Sequence, residues 1–314
     1  MANNEEAKRL ALRLLQVLEA EQVQEASPTV QELFEWYMRN HGDGARSAKR
    51  MRQLYQNHLS YLGETRAAAI KPADVLSLKN QIGNKIGHAS ANRVLEILRA
   101  AYNKAIKWEF YTGANPCLNV PLYTLESRER YLSSKAEISR FMKALDSMRS
   151  STFRNFIKAA LFTAARVANV QSMRWQDLDL ENRIWHIPHL PKLGMTTKAG
   201  KSISIPLIDE AIAAIEGQHG KHPVWVFPGK GATGHIVNPA RAWARLCAKA
   251  KITNLRMHDL RRTMGSWQAN TGTSLHIIGK SLGHNSLRAT YIYGRLQLDP
   301  VRQAMDKAAK AMLS

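Results

Sequence analysis

Val30, Leu33, Phe34, Tyr37 and Met38 recur at i, i+3, i+4, i+7 and i+8, and Thr29 stands three residues ahead of Glu32. That pattern predicts an amphipathic helix opened by a capping box. A second helix, roughly 46–62, would bury Met51, Leu54, Leu59 and Leu62 and stop at Gly63. Residues 71–86 and 88–108 read as two more, the latter with Val94, Ile97, Leu98, Ala101, Tyr102, Ala105 and Ile106 at core spacing. Residues 27–122 are therefore predicted to form an all-helical bundle.

Gly113, Pro116 and Pro121 break the periodicity, and the polar stretch 127–130 reads as a linker. Beyond it, helical patterns at 134–147 and 153–175 precede two alternating segments, Arg183–Pro188 and Ser202–Pro206, separated by a loop rich in Lys and Gly. Alternation with period two predicts a β-hairpin with a basic tip. The remainder is helical and ends in a segment, 299–314, with Val301, Ala304, Met305, Ala308 and Met312 on one stripe. The expected architecture is mainly α with a small β-sheet, in two domains, 27–122 and 128–314. Residues 1–26 form a short amphipathic helix or linker ahead of them.

Charge changes what this architecture is for. The 314 residues carry a net +20, too large a surplus to arise without a polyanionic partner. Residues 127–314 hold 29 basic and 12 acidic side chains, against 13 and 8 in residues 27–126, so the polyanion is expected chiefly on the second domain. No apolar run of 18 residues and no signal-peptide pattern is present, which disfavours a membrane and points to a cytoplasmic location. Cys117 and Cys247 are too few for a disulfide framework, and His219 and His222 lack further ligands nearby, so no metal and no cofactor are expected.

Arg46, Lys49, Arg50, Gln53 and Asn57 share one face of the second helix and could track phosphates; a charge run alone is more often an ordinary solvated surface, and the net charge of the whole chain narrows that difference. His88, Asn92 and Arg93, early in the fourth helix, are further DNA-contact candidates. In the second domain Arg166 sits in an apolar stretch, where its charge needs an anionic partner; taken alone it reads as a member of a structural ion pair. His258 and Arg261, at i and i+3, project from one helical face and could converge on a phosphate, although a satisfied core histidine has the same spacing. Near the C-terminus, Gly283-His284 leads to Thr290-Tyr291-Ile292-Tyr293. A tyrosine hydroxyl titrates near pH 10, so it becomes a nucleophile only among donors and positive charge.

Taken in order, Thr163-Ala164-Ala165-Arg166, Lys198, His258-Asp259-Leu260-Arg261, Leu282-Gly283-His284 and Tyr293 resemble the tyrosine recombinase family, the phage-integrase type of site-specific recombinase, over about residues 28–300. The resemblance implies a helical, SAM-like core-binding domain and a catalytic domain that close on double-stranded DNA as a C-shaped clamp. It implies that Arg166 and Arg261 clamp the scissile phosphate, that Lys198 is the hairpin lysine in preference to Lys192 or Lys201, and that His258 and His284 assist. Tyr293 is the implied nucleophile, because Thr290-x-x-Tyr293 fits the family pattern, and Tyr291 is left a packing role. A homotetramer on DNA is implied for strand exchange. The alternatives are a type IB topoisomerase-like enzyme and a DNA-binding factor without catalysis. The chain departs from the family at Ala164, where glycine is common, and at Asn169, where an acidic residue is common.

Overall fold

The computed structural model describes residues 9–10, 26–45, 47–126, 128–189, 200–283, 290–293 and 298–313, and the chain separates into two compact units at Ser127 and Arg128. Among the described residues no helix is long and apolar enough to cross a membrane. Most of the amphipathic segment expected in residues 1–26 lies outside the described residues.

The first unit is a helical bundle. Helix α1 (Val30–Tyr37) opens with the predicted capping box: the Thr29 hydroxyl accepts the Glu32 N–H at 3.2 Å, and the Glu32 carboxylate accepts the Thr29 N–H at 2.8 Å. A wide turn, Met38–Gly42, carries the chain to α2 (Ala48–His58), shorter than the predicted 46–62 because residues 60–62 tighten into a 3₁₀ turn before Gly63. Helices α3 (Pro72–Ile86) and α4 (His88–Lys107) are joined by Gly87 alone, whose φ of 97° lets the chain reverse between them. Leu33, Phe34, Leu54, Leu98 and Tyr102 fill the core, and the Tyr102 hydroxyl donates to the Ala67 carbonyl at 3.0 Å. After α4 the chain packs back on the bundle. Buried Lys79 donates from Nζ to the Pro121 carbonyl at 2.9 Å and lies 4.2 Å from the centre of the Tyr123 ring.

The second unit has a helical core with a three-stranded antiparallel sheet. Helices α5 (Lys135–Asp146) and α6 (Ser151–Phe162) begin at Ser134 and Ser150, whose hydroxyls accept the N–H groups of Glu137 and Phe153. After α7 (Val167–Gln171), strands β1 (Leu178–Asp179), β2 (Ile184–Ile187) and β3 (Ile203–Pro206) pair in sequence order. The register sets Trp185 against Ile205 and His186 against Ser204; Trp185, Ile187 and Ile205 enter the core, while His186 and Ser204 face outward. Helices α8 (Asp209–Glu216), α9 (Ala240–Lys249), α10 (Asp259–Asn270) and α11 (Leu275–Ser281) complete the domain around Phe141, Phe156, Phe227, Leu246 and Leu260. A last helix, α12 (Leu298–Leu313), leaves Met305 and Met312 exposed.

One expectation is corrected by the backbone. The apolar stretch 153–175 is not one helix: α6 ends at Phe162, and Ala164 takes a left-handed φ of 50°, so Arg166 opens a separate short helix. The Thr163 hydroxyl closes this turn, donating to the Ala159 carbonyl at 2.6 Å and accepting the Ala165 N–H at 3.3 Å. The division between the two units, at Ser127 and Arg128, falls in the stretch expected to link them. Arg128 binds Asp259 and Asn254, and Arg130 binds Glu137, all within the second unit.

Candidate active site

Arg166 stands at the cap position of α7, and its carbonyl accepts the N–H groups of Asn169 and Val170 at 2.8 and 3.2 Å. The side chain thus leaves the chain at a break between two helices. Arg261 lies in the first turn of α10, is 4% exposed, and donates from Nη1 to the Ala164 carbonyl at 2.8 Å. One guanidinium is therefore fastened to the turn that presents the other, and 97 residues of sequence are closed across the site. The left-handed Ala164 is what turns its carbonyl towards Arg261, so the departure from the family's glycine keeps the backbone form that glycine favours.

His258 caps α10 and keeps an exposed edge. Its pKa is lowered below the ordinary imidazole value, first by the protein atoms packed round the ring, then by Arg261, Arg262 and Arg166, with Asp259 acting in the opposite sense. The joint effect of Arg166 and Arg261 puts both cations within electrostatic reach of one imidazole. A neutral ring at pH 7 can take a proton as well as donate one.

Thr290 is fully buried and packs on α11, where a Cβ added to Gly279 would lie 3.0 Å from Thr290 Oγ1. It anchors a 3₁₀ turn, Tyr291–Tyr293, that contacts α10, the helix bearing Arg261. The candidate nucleophile is thus carried on backbone adjoining the clamp. Tyr291, to which the resemblance leaves a packing role, is instead 62% exposed, because the buried anchor of this turn is Thr290.

His284 and Lys198 lie outside the described residues, as does Arg46. Gly283, the residue before His284, has φ of 61° and approaches β3 so closely that a Cβ there would meet Ile203 Cγ2 at 2.9 Å. The backbone leading to His284 therefore runs against the strand that leaves the hairpin. His219 and His222 are loop residues: Trp175 packs on the His219 ring, and His222 Nδ1 accepts the N–H groups of Val224 and Trp225 at 3.1 and 3.0 Å.

In the first unit Lys49, Arg50 and Gln53 are exposed along α2, with Arg50 Nη1 donating to Gln53 Oε1 at 3.0 Å. His88 is exposed and stacks on Tyr123 at 3.9 Å, and exposed Arg93 pairs with Glu96 at 3.0 Å. Asn92 is set aside as a nucleic-acid contact. It is 6% exposed, and its amide is engaged in both directions by the Tyr123 backbone at 2.8 Å, fastening the end of the first unit to α4. Sequence reasoning also passes over Asp259. It stands inside the His258–Arg261 run, but its partner Arg128 is 131 residues away.

A family model for the phage integrase family matches residues 132–298, and one for the phage integrase N-terminal domain matches residues 27–122. The chain belongs to the phage integrase family of tyrosine recombinases. It is 27% identical over 231 residues to the integrase of Salmonella phage P22, covering 68% of this chain and 54% of that protein, so the matched part spans about half of that relative. Tyrosine recombinase XerD of Rickettsia bellii is 23% identical over 241 residues, covering 71% of this chain and 78% of that one. The fold is similar to that of the Tn1549 transposon integrase solved with a circular intermediate DNA, with a TM-score of 0.75 and 18% identity over 90% of this chain and 100% of that chain. It is also similar to a lambda integrase dimer bound to a core site, with a TM-score of 0.70 and 16% identity over 92% of this chain and 85% of that chain.

Proposed function

We propose that this chain is a site-specific recombinase that cuts and rejoins double-stranded DNA through a covalent tyrosyl intermediate. The observation that carries the proposal is the bond from Arg261 to the Ala164 carbonyl, which joins the Arg166 turn to the helix bearing His258 and touching the Tyr293 turn. Tyr293 Oη attacks the phosphorus of a phosphodiester; the bond to the 5′ oxygen breaks, leaving a 3′-phosphotyrosyl linkage and a 5′-hydroxyl. Attack by a 5′-hydroxyl from another duplex reverses the step and completes strand transfer. The phosphate ester energy is retained, so no nucleotide hydrolysis is needed.

Negative charge grows on the nonbridging oxygens as the phosphorus becomes five-coordinate, and prepositioned cationic donors favour that state over the ground state. Arg166 and Arg261 serve as the clamp, since each guanidinium offers a planar fork of donors. Lys198 protonates the leaving oxygen, His258 takes the tyrosine proton, and His284 donates to the phosphate. Lys49, Arg50 and Gln53 follow the DNA backbone from the first unit. Four copies act together on DNA, with the exposed Met305 and Met312 of α12 seating on a neighbouring copy. The protein works in the cytoplasm, where its DNA lies.

The test is to incubate the protein with fragments of the genomic DNA that flanks its coding sequence, nicked so that cleavage becomes irreversible, and to sequence the ends that become linked to protein. Tyr293→Phe should abolish the linkage while DNA affinity stays within about twofold. Linkage that persists in Tyr293→Phe and vanishes in Tyr291→Phe would reassign the nucleophile. Binding with no linkage in the parent protein would leave a DNA-binding factor, and relaxation of supercoils without partner exchange would make it a topoisomerase.

A further inference from the structure

The first residues of the second unit are stitched along α10. Arg128 grips the Asp259 carboxylate, Nη2 and Nε donating to Oδ2 at 2.8 and 3.1 Å, and its Nη1 donates to Asn254 Oδ1 at 2.8 Å. Arg262 Nη1 returns a bond to the Arg128 carbonyl. One turn further on, the Leu132 N–H donates to Thr263 Oγ1 at 3.1 Å, and Trp267 Nε1 donates to the Leu132 carbonyl at 2.8 Å. The segment from 128 to 132 thus splints the helix that carries Arg261 over two turns.

Asp259 is the key to this splint. Its carboxylate is 1% exposed, and Oδ2 also accepts the Arg256 N–H at 2.8 Å, closing the tight turn in which His258 lies. A buried carboxylate needs a cation nearby, yet Arg262 already lies 3.8 Å from Oδ1. What Arg128 adds is direction: a forked, charge-assisted contact fixes the plane of the carboxylate and, through it, the turn.

We propose that Arg128 is a positioning residue for DNA cleavage, acting through Asp259 to hold the His258 turn and the first turn of α10 in register with Arg166. This rests on the recombinase reading. Arg128 is also the first residue of the second unit, so the chain enters that unit by fastening itself to the helix of the active site.

The experiment compares the parent protein with Arg128→Ala, Arg128→Lys and Asp259→Asn on the nicked duplex that the parent captures from its flanking DNA. Three quantities are read: the single-turnover cleavage rate at saturating duplex, the Kd for that duplex, and the melting temperature. Arg128→Ala should slow cleavage by about 10- to 100-fold, as small misplacements of reacting groups do, with Kd within about threefold. Arg128→Lys keeps the charge but loses the fork, and should recover part of the rate. If Arg128→Ala does not fold, Asp259→Asn, which preserves shape and the bond from Arg256, gives the same reading. Cleavage at the parent rate in the folded variants, with only the melting temperature lowered, overturns the positioning role. A parent protein that links to none of the fragments overturns the recombinase reading itself, and this inference with it.

Discussion

Arg261 and Ala164 meet through a hydrogen bond, guanidinium to carbonyl at 2.8 Å, and this bond joins helix α10 to the turn after α6, which sequence alone leaves 97 residues apart. It commits one donor of Arg261 to the protein and orients the others. Arg261→Lys should therefore be poorly tolerated although it keeps the charge. A lysine presents a point charge and cannot hold the carbonyl and a phosphate in one plane. Loss of a preorganised donor of this kind costs about 3 kcal/mol in the barrier, or roughly 100-fold in rate. Single-turnover cleavage of a nicked duplex would reveal it, and a rate within about threefold of the parent would contradict the role given to the fork.

Ala164 offers a test of the turn itself. At φ of 50° a β-branched side chain is strained, and the site is 2% exposed, so Ala164→Val should destabilise the protein by about 2 kcal/mol or more and slow cleavage by shifting the carbonyl. Ala164→Gly behaves differently. Relief of left-handed strain, about 1 kcal/mol, opposes the loss of a buried methyl, about 0.8 kcal/mol, leaving stability nearly unchanged. Urea unfolding of both variants distinguishes them, and equal effects would mean that the backbone form at 164 is not what matters.

His258 makes stability and activity depend on pH in a defined direction. In the unfolded chain the imidazole takes a proton near pH 6.5, whereas burial and the neighbouring arginines lower its pKa in the folded protein. Below about 6.5 the unfolded state therefore binds more protons, and stability falls with falling pH until the folded ring is also protonated. The acid limb of the cleavage rate should lie below the ordinary histidine range. His258→Gln should remove that limb from the pH–rate curve; a limb that stays where it was belongs to another group.

Lys49 and Arg50 separate electrostatic binding from structural support when compared with Asn92. Replacing Lys49 and Arg50 by alanine should weaken DNA binding and reduce the slope of log K against log salt by about 1 for each phosphate that is no longer neutralised. Asn92→Ala should leave that slope alone and instead cost about 1–3 kcal/mol of stability, because two backbone groups of Tyr123 lose their partner. A changed slope for Asn92→Ala alone would restore it as a DNA-binding residue and remove the other two.

Much is legible in the chain because it is written locally. The capping box at Thr29 and Glu32, the period of α4 and the alternation of β2 and β3 each depend on residues within a few positions of one another, and local spacing fixes which face of a helix or strand is buried. By resemblance, the motif order implies that Arg166, Lys198, His258, Arg261, His284 and Tyr293 share one site. Sequence alone could not say that residues 153–175 break at Ala164, since an apolar run reads the same whether or not one residue turns left-handed. Nor could it separate Asn92, whose amide is spent on the Tyr123 backbone, from the exposed polar residues of α2. The pairing of Arg128 with Asp259 and of Arg261 with the Ala164 carbonyl belongs wholly to the tertiary structure. Pairings of groups so distant in sequence leave no periodic trace in the chain, because they are selected by how packed helices meet and by the cost of burying charge without a partner.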